Sequence, residues 1–278
     1  MTSNPGRNTD KASMRPLGDW SVADRSRIVA LLTDIDDTLS SNGRLTAHAY
    51  AAMEALTAAG VQVVPVTGRP AGWCDHIARF WPVAGVVGEN GALWMRYDPA
   101  SRKLLKSFVQ SEDERRSARQ RFAAIAERIV AAVPGCAIAS DQLYRESDLA
   151  IDWCEDVTPL SHGDVDRIVA LMRSEGMTAK VSSIHVNGWF GDYDKLGMTR
   201  RFVTEVLGMD LDRDADRFAF VGDSPNDAPM FRFFANSIGV ANVHRFEGLL
   251  EAQPAYVTAS ESGAGFAEVA QALLDVRA

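Results

Sequence analysis

The sequence predicts an α/β fold: a doubly wound parallel sheet interrupted by a smaller α+β module. Three observations point there. Short, uniformly apolar runs end in acidic or hydroxyl residues and alternate with helical segments in the order β-α-β-α-β. The middle of the chain switches to two long helices separated by short strands. A length of 278 residues exceeds one unit of about 150, which suits a core with a large insertion.

Ile28–Leu32 (IVALL) stops at Thr33-Asp34, as expected of a strand buried on both faces. An alanine-rich helix over 46–59 precedes Gly60 at the C′ position. A strand over 61–66 ends in Thr67-Gly68-Arg69, a helix covers 71–80, and a strand over 83–87 runs into Gly88-Glu89-Asn90-Gly91. In the middle, Phe122, Ile125, Ile129 and Val133 mark one face of a helix over 112–133, and Val165, Ile168 and Met172 mark a second over 164–174. Short strands are expected at 136–139, 149–153, 178–182 and 184–188. The core then resumes with a helix over 195–207, a strand over 217–221 ending in Gly222-Asp223, weaker strands at 238–240 and 255–257, and a terminal helix over 265–276. The domain expectation is an N-terminal arm over 1–27, disordered because it is polar and without an apolar signal core, a discontinuous core over 28–96 and 187–278, and a cap over 97–186.

Hydrophobic residues make up 46% and charged residues 24%, enough for a sizeable core. The net charge of −8 argues against nucleic acid or an anionic membrane as principal partner. No apolar run approaches the roughly 20 residues that span a bilayer. Cys74, Cys136 and Cys154 lack metal-site spacing, which fits reduced thiols in a cytoplasmic protein.

Ligands of open α/β sheets bind beyond the carboxyl ends of the strands. Three strand ends carry Asp34 and Asp36, Thr67, and Asp223 and Asp227. Singly, each Asp would be a helix cap. Four carboxylates converging with a hydroxyl call for a cation, and hard oxygen ligands suit Mg2+. The stretch from Asp34 does not complete a calcium loop: it lacks the sixth-position glycine, and Leu45 stands where a bidentate Glu is needed. No GxxxxGK[ST], HExxH or GxSxG occurs.

Asp34-Ile35-Asp36-Asp37-Thr38-Leu39, Thr67-Gly68-Arg69, Lys195 and Gly222-Asp223-Ser224-Pro225-Asn226-Asp227 resemble, in order, the four motifs of the haloacid dehalogenase (HAD) superfamily. Gly88-Glu89-Asn90-Gly91-Ala92 and the insertion resemble subfamily IIB, the Cof-type and sugar-phosphatase group with a type C2 cap. The resemblance implies a HAD-like, Rossmann-like core and a phosphatase in which Asp34 is the nucleophile and Asp36 the acid/base. It further implies that Thr67, Gly68 and Lys195 bind phosphate, and that Asp34, the carbonyl of Asp36, Asp223, Asn226 and Asp227 hold or orient Mg2+. Asp37 departs from the glycine many relatives carry there, a position that Asp's tolerance of tight turns accommodates. Dehalogenases lack the second acid, so Asp36 disfavours that chemistry.

The expected substrate is a small phosphate monoester, a sugar phosphate above others, for a monomer or homodimer. The alternatives are a phosphohexomutase, suggested by Asp192-Tyr193-Asp194 before Lys195, or a non-catalytic sugar-phosphate sensor. Candidate substrate-binding residues are Arg69, Asn90, Arg145, His185 and Asn187, with Glu146, Asp152, Lys180, Ser182, Ser183 and Trp189 as further cap candidates.

Overall fold

Leu31 faces one hydrophobic cluster while Ala30 and Leu32 face another, which is why the first apolar run has no polar side. The computed structural model describes residues 14–246 and 248–277. In chain order its elements are β1 (Arg15–Pro16), α1 (Val22–Arg27), β2 (Ala30–Thr33), α2 (Ala47–Ala58), β3 (Gln62–Pro65), α3 (Ala71–Phe80), β4 (Val86–Gly88), β5 (Leu93–Asp98), β6 (Lys103–Phe108), α4 (Glu112–Ala132) and β7 (Ala137–Ile138). There follow β8 (Asp148–Asp152), α5 (His162–Ser174), β9 (Thr178–Val181), β10 (His185–Trp189), α6 (Lys195–Leu207), β11 (Phe218–Gly222), α7 (Ala228–Phe233), β12 (Ser237–Gly239), β13 (Tyr256–Val257) and α8 (Ser262–Leu274).

The main sheet is parallel, in the order β1-β13-β12-β11-β2-β3. From β2 the chain runs outward through β3, and from β11 it runs the other way through β12 and β13. Adjacent β2 and β11 therefore flank the point where the winding reverses, the place where such sheets bind ligands. Helices α2 and α8 pack on one face through Met53, Leu56, Phe266 and Val269. Helix α6 and the segment after β11 cover the other face through Phe202, Met230 and Phe234.

The inserted module is a four-stranded antiparallel sheet, β7-β8-β10-β9. Leu149, Ile151 and Val186 pack with α4 and α5, so the alternation of the strand turns Asp148, Asp152, His185 and Asn187 to the opposite face. The two crossings between core and insertion are tied together: the Gln110 side-chain amide Nε2 donates to the Phe190 carbonyl at 2.8 Å.

Two expectations need correction. The boundaries at 97 and 186 fall inside strands. Residues 97–108 belong to the hairpin β5–β6, which extends β4 on the core side, and 187–189 belong to the cap sheet. The 1–27 arm is ordered wherever it is described. Residues 1–13 lie outside the described residues, but Arg15 and Pro16 pair in parallel with Tyr256 and Val257, and Ser21 caps α1 by accepting from Asp24 N at 3.0 Å. Trp20, 1% exposed, explains the order: its ring joins the core, and its indole N–H donates to Asn236 Oδ1 at 3.0 Å.

Candidate active site

The segment after β2 bends at once. The N–H groups of Thr38, Leu39 and Ser40 all donate to the Ile35 carbonyl, and Asp37 adopts a left-handed φ of 55°. This bend sets Asp34 and Asp36 at the sheet edge. Asp34 N donates to the Val221 carbonyl at 2.8 Å, which registers the loop against β11. At the end of β11, a side chain on Gly222 would collide with the Asp227 carboxylate, so glycine lets that carboxylate fold back onto the Asp223 and Ser224 N–H groups. Gly91, at φ 103°, similarly admits the backbone of Asp194 and Lys195, which a Cβ would strike.

Lys195 opens α6 and is 2% exposed. Its Nζ lies 2.7 Å from both Asp34 Oδ1 and Asp227 Oδ1. Burial alone would depress the ammonium pKa, but the two carboxylates raise it above its ordinary value, so Lys195 stays charged. The Asp34 carboxyl is raised to about 7, by burial first and then by Asp227 and Asp36, against the pull of Lys195. Asp223 is raised well above the ordinary range, by burial first and then by Asp34 and Asp227. It accepts from two neutral donors, Thr38 Oγ1 and Asn242 Nδ2, each at 3.1 Å. Oxygens of Asp34, Asp223 and Asp227 lie within 4.8 Å of one another. Three buried carboxylates, two on one ammonium and the third met by neutral donors, fit a hard divalent cation such as Mg2+.

Beyond these groups a cavity of about 10 Å3, room for one water molecule, is lined by Asp34, Asp36, Gly68, Arg69 and Asn226 of the core and Ser182, Ser183, His185 and Asn187 of the cap. Arg69 is 4% exposed and crosses between the two units. Its Nε and Nη2 hold Asp36 at 2.8–3.0 Å, Nη2 meets Glu155 Oε1 at 2.5 Å, and Nη1 lies 3.4 Å from Asp141. Glu155 Oε2 lies 2.9 Å from His185 Nε2. Burial opposes ionisation of Glu155, yet His185 and Arg69 bring its pKa down to about 2.

Every sequence-predicted core residue thus gathers at one point. Thr67 is fully buried, its Oγ1 accepting from Arg69 N at 3.0 Å. Asn90, at φ 54°, packs beside Gly68, and its side-chain Nδ2 is buried without a hydrogen-bond partner among the described residues. Asn226 Oδ1 accepts from Ser224 Oγ at 2.7 Å. His185 and Asn187 line the cavity, and Asn187 Nδ2 also donates to Asp148 at 3.0 Å.

Arg145, a candidate for substrate contact, is placed away from the cavity lining. Its side chain is fully enclosed and spent on Asp141, Asp148 and the Gly68 carbonyl, because a buried guanidinium needs its carboxylates. Of the other cap candidates, Glu146 is directed to Arg119, and Asp152 accepts from the N–H groups of Cys154, Glu155 and Asp156. Trp189 stacks on Tyr193. In the segment that suggested a mutase, Asp194 caps α6 by accepting from Gly197 N.

Sequence reasoning missed Glu155, Asp141, Glu89 and Asn242. Glu89 is fully buried and accepts from the N–H groups of Ala71, Glu146 and Ser147, joining core to cap. Burial first, then Asp148, raises its pKa to about 8. Its place beside Asn90 in the Gly-Glu-Asn-Gly run was the one available signal.

A family described as haloacid dehalogenase-like hydrolase matches residues 31–130. A phosphoglycolate phosphatase of Pyrobaculum neutrophilum is 28% identical over 247 residues, covering 88% of this chain and 95% of that protein. Among solved structures, the C-terminal domain of a C. albicans trehalose-6-phosphate phosphatase superposes with a TM-score of 0.68 at 12% identity, over 97% of this chain and 99% of that one. A Thermoplasma acidophilum protein gives 0.63 at 19% identity over 89% and 98%. The sucrose-phosphatase of Synechocystis gives 0.58 at 15% over 88% and 97%. These likenesses show a shared fold.

Proposed function

We propose that this chain, which has the haloacid dehalogenase-like fold, is a phosphatase that hydrolyses a small phosphate monoester, a sugar phosphate first among them, through a phosphorylated Asp34. The observation that carries this reading is the arrangement at the β2 and β11 ends: Asp34 beside a buried Lys195, Asp36 on the same cavity, and Asp223 and Asp227 within reach. Similarity to proteins named as phosphatases supports it.

In this reading an oxygen of Asp34 attacks phosphorus, and the bond from phosphorus to the ester oxygen breaks. The departing alkoxide takes a proton from Asp36. Water then attacks the phosphorus of the aspartyl-phosphate and gives its proton to Asp36, which releases inorganic phosphate and restores the Asp34 carboxylate and the Asp36 carboxylic acid. Lys195, the Thr67 hydroxyl and the Gly68 N–H offset the phosphoryl charge. Asp34, the Asp36 carbonyl, Asp223, Asn226 and Asp227 would hold Mg2+, which supplies charge neutralisation at the phosphoryl oxygens. The three unpaired cysteines fit a reducing, cytoplasmic setting, and a monomer or homodimer would suffice.

The test is phosphate release from a panel of phosphate esters with Mg2+. Asp34→Asn should lower kcat by a factor on the order of a thousand or more. Full activity in that variant would refute the nucleophile assignment.

A further inference from the structure

Behind the cavity wall, against its lining residues Arg69 and His185, stands a carboxylate that the reaction above does not use. Glu155 stands on the turn after β8, and that turn is pinned because Asp152 accepts three successive N–H groups, of Cys154, Glu155 and Asp156, at 2.8–3.0 Å. From this fixed base Glu155 reaches Arg69 of the core at 2.5 Å and His185 of the cap at 2.9 Å. Its side chain is 24% exposed, and it stays ionised.

The charges around the leaving-group end of the cavity do not favour a second anion. Arg69 supplies the permanent positive charge in the lining, and it already faces Asp36, Asp141 and Glu155. His185 faces Glu155. Arg145 is closed off between Asp141 and Asp148. The other cap residues in the lining, Ser182, Ser183, Ile184 and Asn187, are neutral.

A carboxylate on the leaving alcohol would have to evict Glu155 from Arg69 and His185. Glu155 is tethered and preorganised, which gives it a large effective concentration over any free competitor. Once evicted it would remain beside the pocket as an unpaired charge. A hydroxyl group carries no such penalty.

We propose that Glu155 is a specificity-determining residue that admits neutral, hydroxyl-bearing leaving groups and rejects those carrying a carboxylate. The proposal rests on the phosphatase reading and deepens it. It separates this chain from a substrate such as phosphoglycolate, whose leaving alcohol carries a carboxylate.

Two matched pairs of esters test it: glycerol 3-phosphate against 3-phosphoglycerate, and sorbitol 6-phosphate against 6-phosphogluconate, each pair differing only in a CH2OH group against a carboxylate. The wild-type protein should show kcat/KM at least about tenfold higher for the neutral member, the scale of one uncompensated charge contact. Glu155→Gln should shrink that ratio by about tenfold, chiefly by raising kcat/KM for the carboxylate member. Glu155→Asp, which keeps the charge, should retain the wild-type preference. A wild-type ratio near one or inverted overturns the proposal. So does a Glu155→Gln variant in which both members fall together, since that is the signature of a merely structural residue. Release from p-nitrophenyl phosphate but from neither pair overturns the specificity proposal alone, and no release from any ester overturns it together with the phosphatase reading.

Discussion

Lys195 is the residue on which the charge balance of the site turns. It is the ammonium between Asp34 and Asp227, both within 2.7 Å. Lys195→Met should leave two buried carboxylates facing each other, lowering kcat by about 100–1000-fold in steady-state assays. The same balance predicts that Mg2+ raises the melting temperature, because it binds the folded cluster and not the unfolded chain. Asp223→Asn should diminish that rise relative to wild type in EDTA-controlled thermal unfolding. Glu155 makes a further prediction through pH. Its folded pKa of about 2 lies below its ordinary 4.5. Its contribution to stability is therefore complete above 4.5 and is lost as the pH falls toward 2. In acid-unfolding curves, Glu155→Gln should flatten the loss of stability within that window. Asp34, Asp36, Thr67, Asp223 and Asp227 were legible in the sequence as polar groups at strand ends that the apolar runs define, and Lys195 through the resemblance of the four motifs. Glu155 and Asp141 were not legible: their partner is Arg69, in a different unit of the chain, and no local pattern encodes a contact across 72 or 86 positions.

Elements with a full apolar run or a clean helical period were readable to within a few residues; α6 spans Lys195–Leu207 as expected. The hairpin β5–β6 was not readable, because its inward residues Leu93 and Met95 alternate with Trp94, which is buried on the other side, and β6 is largely exposed. The N-terminal segment failed for a different reason: a single aromatic anchor outweighs a polar composition. Trp20→Ala should cost about 3–5 kcal/mol in urea unfolding, the range for a buried aromatic. Between elements, Glu89 satisfies three backbone N–H groups across the boundary of core and cap. Glu89→Ala strands those donors and should destabilise the protein by about 3 kcal/mol or more in the same measurement.

Across the whole molecule, cap and core meet so closely that the cavity between them has about 10 Å3, the size of a single water. A phosphate ester enters and inorganic phosphate leaves only if the cap lifts, breaking the Arg69 contacts with Glu155 and Asp141. For a good substrate, kcat should then fall as solvent viscosity rises, and a slope of zero would place that motion outside the slow step. The neck on which the cap sits has an ancestral consequence. Gln110 and Phe190 touch at the two crossings, so the chain departs from the core and returns to it at neighbouring points. A gene could lose, gain or exchange the 79 codons between those points while the strand order of the core and the spacing of its carboxylates stayed intact. Lineages sharing this core are thus free to recombine the part that chooses a substrate without rebuilding the part that performs the reaction.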